Sequence, residues 1–141
     1  MTHQEMLNLL WKNPAILKEA LGWSDIFYIG MEYKLGPQTR ERADLVVRDS
    51  SPCCGIQDDA VVAVIELKSR LADHEVLGQL KKAVTVLEQR GLQTKHWSCV
   101  RGVAIAPRYT DSAIKTLMTE NYTILTWHTH DRGFSLRQLG A

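Results

Sequence analysis

Residues 61–70 read VVAVIELKSR: an apolar run that begins at Ala60 reaches Glu66, Leu67 alone separates Glu66 from Lys68, and there the run stops. The run is short and rich in β-branched residues, which marks a strand. Its lack of polar alternation marks a central strand covered on both faces. Side chains alternate across a strand, so Val62, Val64, Glu66 and Lys68 share one face, and Val61, Ala63, Ile65 and Leu67 share the other. Glu66 and Lys68 therefore emerge in line at the C-terminal end, where open α/β sheets bind their ligands. A carboxylate buried there costs several kcal/mol unless it is paired or metal-bound. Taken alone, the stretch fits a simple ion pair and a site equally well.

Outward from this strand, the chain punctuates itself clearly. The segment THQEMLNLLWKNPAILKEALGW has a helical apolar period broken at Asn13-Pro14, where proline opens a second short helix and Gly22 ends it. IFYIGMEYKL (26–35) and ADLVVRD (43–49) read as strands, joined by the turn GPQTRE and followed by a polar loop to residue 59 that contains Pro52 and Gly55. After VVAVIELKSR, the residues Val76, Leu77, Leu80, Ala83, Val84 and Leu87 form one helical stripe, with Asp73 as N-cap and Gly91 as stop. CVRGVAIAP, TDSAIKTLMTEN and YTILTW follow as strand, helix and strand, and Phe134-Ser135-Leu136 adds a short edge strand. The order predicts an α/β sandwich of the restriction-endonuclease-like type, a central mixed sheet of about five strands flanked by helices. Residues 1–141 are expected to make a single domain.

Bulk properties exclude several classes. The chain is 45% hydrophobic and 23% charged with a formal net charge of +1, ordinary for a globular protein and silent about nucleic acid. No apolar stretch approaches the ~20 residues needed to cross a bilayer. The N-terminus carries no basic leader followed by a long apolar segment, so the expectation is a cytoplasmic protein with no membrane partner. Cys53, Cys54 and Cys99, with His96 nearby, lack the two-residue gap of zinc ligands and read as free thiols. His128 and His130 would share a strand face but have no third ligand, and read as surface residues; His74 is the histidine nearest the strand end.

The strand before VVAVIELKSR adds a second acid. RADLVVRD sets Asp44 just inside its strand, and if the two strands pair, Asp44 comes near Glu66 with Lys68 beside both. Two converging acids with no compensating arginine stabilise a fold poorly and suit a hard divalent cation: magnesium takes a few carboxylates plus water and a substrate phosphate. An acid followed, after an apolar strand, by Glu-x-Lys resembles the PD-(D/E)XK nuclease superfamily, here as Arg42-Ala43-Asp44 and Glu66-Leu67-Lys68, with Ala43 where the family usually has proline. The runs EMLNLLWKNPAILKEALG, MEYKLG, RADLVVRD, VIELK, GQLKKAV and VRGVAIAP are similar to the nuclease domain of NucS-type endonucleases, over roughly residues 5 to 127.

That resemblance implies a DNA endonuclease using magnesium, with manganese as substitute and no small-molecule cofactor. Asp44, Glu66 and the backbone carbonyl of Leu67 would hold the metal, Lys68 would orient the attacking water, and Gln79 and Glu5 would support the site, with Glu19 as rival to Glu5. The separate N-terminal domain of the NucS group has no counterpart in these residues, so a stand-alone catalytic-type domain is expected and the group's substrate is not carried over. DNA contacts fall to Arg42, Arg70 and Lys82, with Arg40, Lys81, Arg101 and Arg108 as further bases. A homodimer would supply two sites for two strands. Trp11, Trp23, Trp97 and Trp127 suit an interface or base stacking, and more simply core and rim positions. A second function stays open: a catalytically inactive nuclease fold serving as a DNA- or protein-binding module in a larger assembly.

Overall fold

A computed structural model describes residues 1–37, 41–49 and 60–140. Helices α1 (His3–Lys12) and α2 (Pro14–Leu21) lead into strands β1 (Phe27–Lys34), β2 (Arg42–Arg48) and β3 (Val61–Leu67). The short β4 (Leu71–Ala72) precedes helix α3 (Glu75–Thr94), and β5 (Cys99–Ala106) is followed by the equally short β6 (Arg108–Tyr109). Helix α4 (Asp111–Thr119) and the hairpin β7 (Thr123–His130) and β8 (Gly133–Gln138) complete the order.

The main sheet runs β1-β2-β3-β5-β7-β8: about five expected strands plus the edge strand expected at Phe134-Ser135-Leu136, which extends over Gly133–Gln138. β3, β5 and β7 are parallel neighbours joined through α3 and α4, and the flanking pairs are antiparallel. The sixth strand arises because the tail is a full hairpin partner of β7: Trp127 and Phe134 stack with ring centroids 4.1 Å apart, holding β8 along its length. β4 and β6 form a separate parallel ribbon that two-residue segments do not announce in sequence.

Strand alternation divides the core. Leu45, Val47, Ala63, Ile65 and Leu67 pack under α1 and α2, and Val46, Val62 and Val64 pack under α3 and α4. Both faces of β3 are covered, as its continuous apolar run requires.

Helix ends show where local signals compete with packing. Gly22 caps α2 in the left-handed region at φ 70°, and Pro14 opens that helix. Asp73 Oδ1 accepts the Glu75 N–H at 3.0 Å and so caps α3, although the residue at the helix boundary is His74. Gly91 is not the stop: α3 continues to Thr94, and Lys95 takes the left-handed position, its N–H bound to the Gly91 carbonyl at 2.8 Å. Glycine is needed at 91 for another reason, since a Cβ there would lie 2.6 Å from the Trp97 ring.

Candidate active site

β3 carries Glu66 inward because the row it continues is fully apolar. Val62 and Val64 precede it on the α3 side, and Glu66 keeps only 6% of its surface exposed. β2 runs antiparallel to β3 in a register from Arg48 opposite Val62 to Leu45 opposite Ile65, so one step further brings Asp44 level with Glu66. There the strands part, with β2 continuing along β1 and Glu66 and Leu67 along β5. Asp44 turns into the opening: its Oδ2 accepts the Leu67 N–H at 2.8 Å and lies 3.2 Å from Nε2 of His3.

Two carboxyls in so dry a place cannot both be charged cheaply. The Glu66 pKa is pushed up to about 9, first by burial, then by the Asp44 charge and a hydrogen bond with the Asp44 carboxyl, while Lys68 offsets this only in part. The protein alone therefore keeps a proton on the pair at neutral pH. A hard divalent cation is the other way to neutralise it, because such ions take oxygen donors and displace the proton. The donor set fits: two carboxylates converge, and Leu67 brings a backbone carbonyl between Glu66 and Lys68. Among the described residues, no group of three or more His, Cys, Asp or Glu side chains converges as metal ligands. A pair of acids suits magnesium, which retains several waters.

Lys68 leaves the strand half-buried, its N–H bound to the Ile105 carbonyl at 2.8 Å. A groove of about 390 Å³ opens over Glu66, lined by Leu35, Glu41, Arg42, Gly78, Gln79 and Lys82. Gln79, one turn into α3, thus shares a wall with Glu66, and Arg42 stands at its rim. Lys82 is ion-paired with Glu41 across the groove.

Glu5 bonds within its own helix end. It completes a capping box on α1, where its N–H donates to Thr2 Oγ1 at 3.1 Å and its Oε1 accepts the Thr2 N–H at 3.3 Å. The α1 side chain that reaches Asp44 is His3, which sequence reasoning passed over. Its position in the first helical turn, with Met6, Leu7 and Leu10 buried after it, was the available signal. Glu19 lines a separate cavity with His130 and Arg137.

Arg70, Arg101 and Arg108 are exposed, and Lys81 pairs with Glu120 at 2.9 Å. Arg40, Cys53 and Cys54 lie outside the described residues; Cys99 is exposed. His74 sits exposed at the start of α3, and His130 bonds Ser135 Oγ at 2.7 Å. Trp127 is core, Trp23 and Trp97 are half-buried, and Trp11 is exposed beside Tyr28.

Fold and site together define a class: a mixed α/β sheet with two acids and a lysine at the C-terminal mouth of a central strand, NucS-like in architecture. The same likeness holds in sequence. Endonuclease NucS of Pyrococcus abyssi is 31% identical over 116 residues, covering 82% of this chain and 38% of the relative. Endonuclease NucS of Pyrococcus furiosus is 28% identical over 113 residues, covering 80% of this chain and 34% of the relative. A solved complex of EndoMS with double-stranded DNA matches with a TM-score of 0.65 at 25% identity, over 87% of this chain and 43% of that one. A repair endonuclease from Pyrococcus abyssi matches with a TM-score of 0.62 at 26% identity, over 88% of this chain and 46% of that one. No family model matches the chain. The chain spans less than two fifths of the length of these curated relatives. The resemblance to the NucS nuclease domain is borne out by sequence and fold alike.

Proposed function

We propose that this domain is a metal-dependent DNA endonuclease of the PD-(D/E)XK type, using magnesium with manganese as substitute. The observation that carries the reading is the meeting of Asp44 and Glu66 at a buried strand mouth, where burial and mutual repulsion hold a proton on Glu66 and where the two carboxylates would hold a divalent cation in its place. The NucS relatives, named endonucleases, and the DNA complex of EndoMS support DNA as the substrate. The cation would be held by Asp44, Glu66 and the Leu67 carbonyl, and would supply charge neutralisation at a phosphodiester and acidify water.

The chain's own residues do the rest. The Leu67 N–H and His3 Nε2 both bear on Oδ2 of Asp44 and fix its carboxylate. Lys68, anchored through its backbone to Ile105, orients the attacking water and balances charge as the phosphorus becomes five-coordinate. Gln79 borders the reacting groups from α3, and Glu5 acts at one remove by capping the helix that presents His3. Arg42 and Arg70 meet backbone phosphates; Lys82 joins them once DNA competes with Glu41. Two copies acting together would cut both strands, and light scattering with and without duplex measures that assembly.

Purified protein should cut DNA with magnesium or manganese and stop on addition of chelator. Asp44→Ala, Glu66→Ala or Lys68→Ala should lower the rate by about a hundredfold or more while the melting transition persists. Undiminished cutting by a folded Lys68→Ala variant would overturn the mechanism.

A further inference from the structure

β3 and β5 resume beyond the site. After Lys68, Ser69 and Arg70 on one side and Pro107 on the other, the same two segments pair again as β4 and β6, in parallel, with Leu71 level with Arg108 and Ala72 level with Tyr109. The inner positions anchor this ribbon. Ala72 is fully buried, the Tyr109 hydroxyl donates to the Leu125 carbonyl at 2.6 Å, and the Thr110 N–H donates to the Ala72 carbonyl at 3.0 Å. Alternation then turns Leu71 and Arg108 outward, side by side at roughly the strand spacing of 4.8 Å. Leu71 is 50% exposed and Arg108 is exposed, with exposed Arg70 next in the chain.

Neither arginine has an acidic partner among the described residues. The closest acids in sequence, Asp73 and Asp111, serve the first turns of α3 and α4. A lone exposed leucine needs no explanation. This one is held on an anchored ribbon, flanked by those two cations, and at most about 10 Å of extended chain from Lys68. Arginines of that kind suit phosphates, whereas a leucine level with one and next in the chain to the other suits sugars and base faces.

We propose that the β4–β6 ribbon is a second DNA-contact element, in which Arg70 and Arg108 grip phosphates beside the scissile bond and Leu71 enters the adjacent base step. Inserting an apolar wedge costs a few kcal/mol of unstacking in intact duplex and little where the stack is already interrupted. The domain therefore prefers interrupted duplex. The inference rests on the reading of DNA as substrate.

The test is binding in chelator, so that cutting does not enter. The probe is a synthetic duplex with a one-nucleotide gap flanked by 2-aminopurine, compared with the intact duplex. Wild type should bind the gapped duplex about tenfold tighter and raise its fluorescence. Leu71→Ala should lose both effects while melting like wild type and binding intact duplex almost unchanged. Arg108→Ala should weaken both duplexes alike and reduce the salt slope by about one. A Leu71→Ala variant that keeps the preference and the fluorescence rise overturns the wedge, as does wild type that binds the two duplexes equally or binds neither. Cutting assays separate the two ideas. Leucine-dependent binding without magnesium-dependent cutting leaves the ribbon standing and removes the nuclease reading; cutting with leucine-independent binding does the reverse.

Discussion

Glu66 is the residue at which fold and chemistry conflict. An unfolded glutamate releases its proton near 4.5, whereas folded Glu66 holds its own up to about 9. Between those limits the native state binds a proton that the unfolded state lacks, so stability fully present at low pH is lost as pH rises through the window. Melting temperatures in chelator should therefore fall across that range for wild type, and Glu66→Gln should flatten the decline. A slope unchanged in the variant would place the proton on another group. On the proposed metal reading, magnesium affinity should rise over the same window, since a cation bound there would have to displace that proton. Lys68 was readable from the two-residue strand period alone, and so was its alignment with Glu66. His3 was legible only as an inward-facing position on the Met6, Leu7 and Leu10 stripe; nothing in the chain marks Asp44 as its partner until the helix is docked.

The elements differ in how openly they declare themselves. α1, α2, α4 and the six long strands follow from periodicity, proline and caps, because those signals act over a few residues. α3 misleads at Gly91, where a residue that looks like a stop is a packing requirement. Trp97 lies against the helix with its Nε1 donating to the Leu87 carbonyl at 2.8 Å, leaving no room for a Cβ at 91. Gly91→Ala should therefore destabilise by about 1–3 kcal/mol, against the gain alanine brings to an open helix position. A higher melting temperature in that variant would show that the Trp97 contact yields. The β4–β6 ribbon is the opposite case: two residues on each side are too short for a pattern, and only the continuing alignment of β3 with β5 creates it.

At the scale of the molecule, the site exists because three elements distant in sequence converge: β2 brings Asp44, β3 brings Glu66 and Lys68, and α1 brings His3. On the proposed metal reading, with a cation that binds the folded state alone, magnesium should raise the melting temperature, by an amount equivalent to about 2.7 kcal/mol at a hundredfold excess over its dissociation constant. Asp44→Ala should remove the shift; a shift preserved in that variant would locate binding elsewhere. The alternating elements, the buried character of β3, and the carboxylate and lysine side by side at its end are all legible in the chain before it folds. They depend on periods of two and 3.6 residues within one segment. Packing settles the rest: that β2 lies antiparallel to β3 in the register that levels Asp44 with Glu66, that His3 reaches Asp44, and that Leu71 lies level with Arg108. Those outcomes depend on which faces are buried together, and burial is shared between segments that no local period connects.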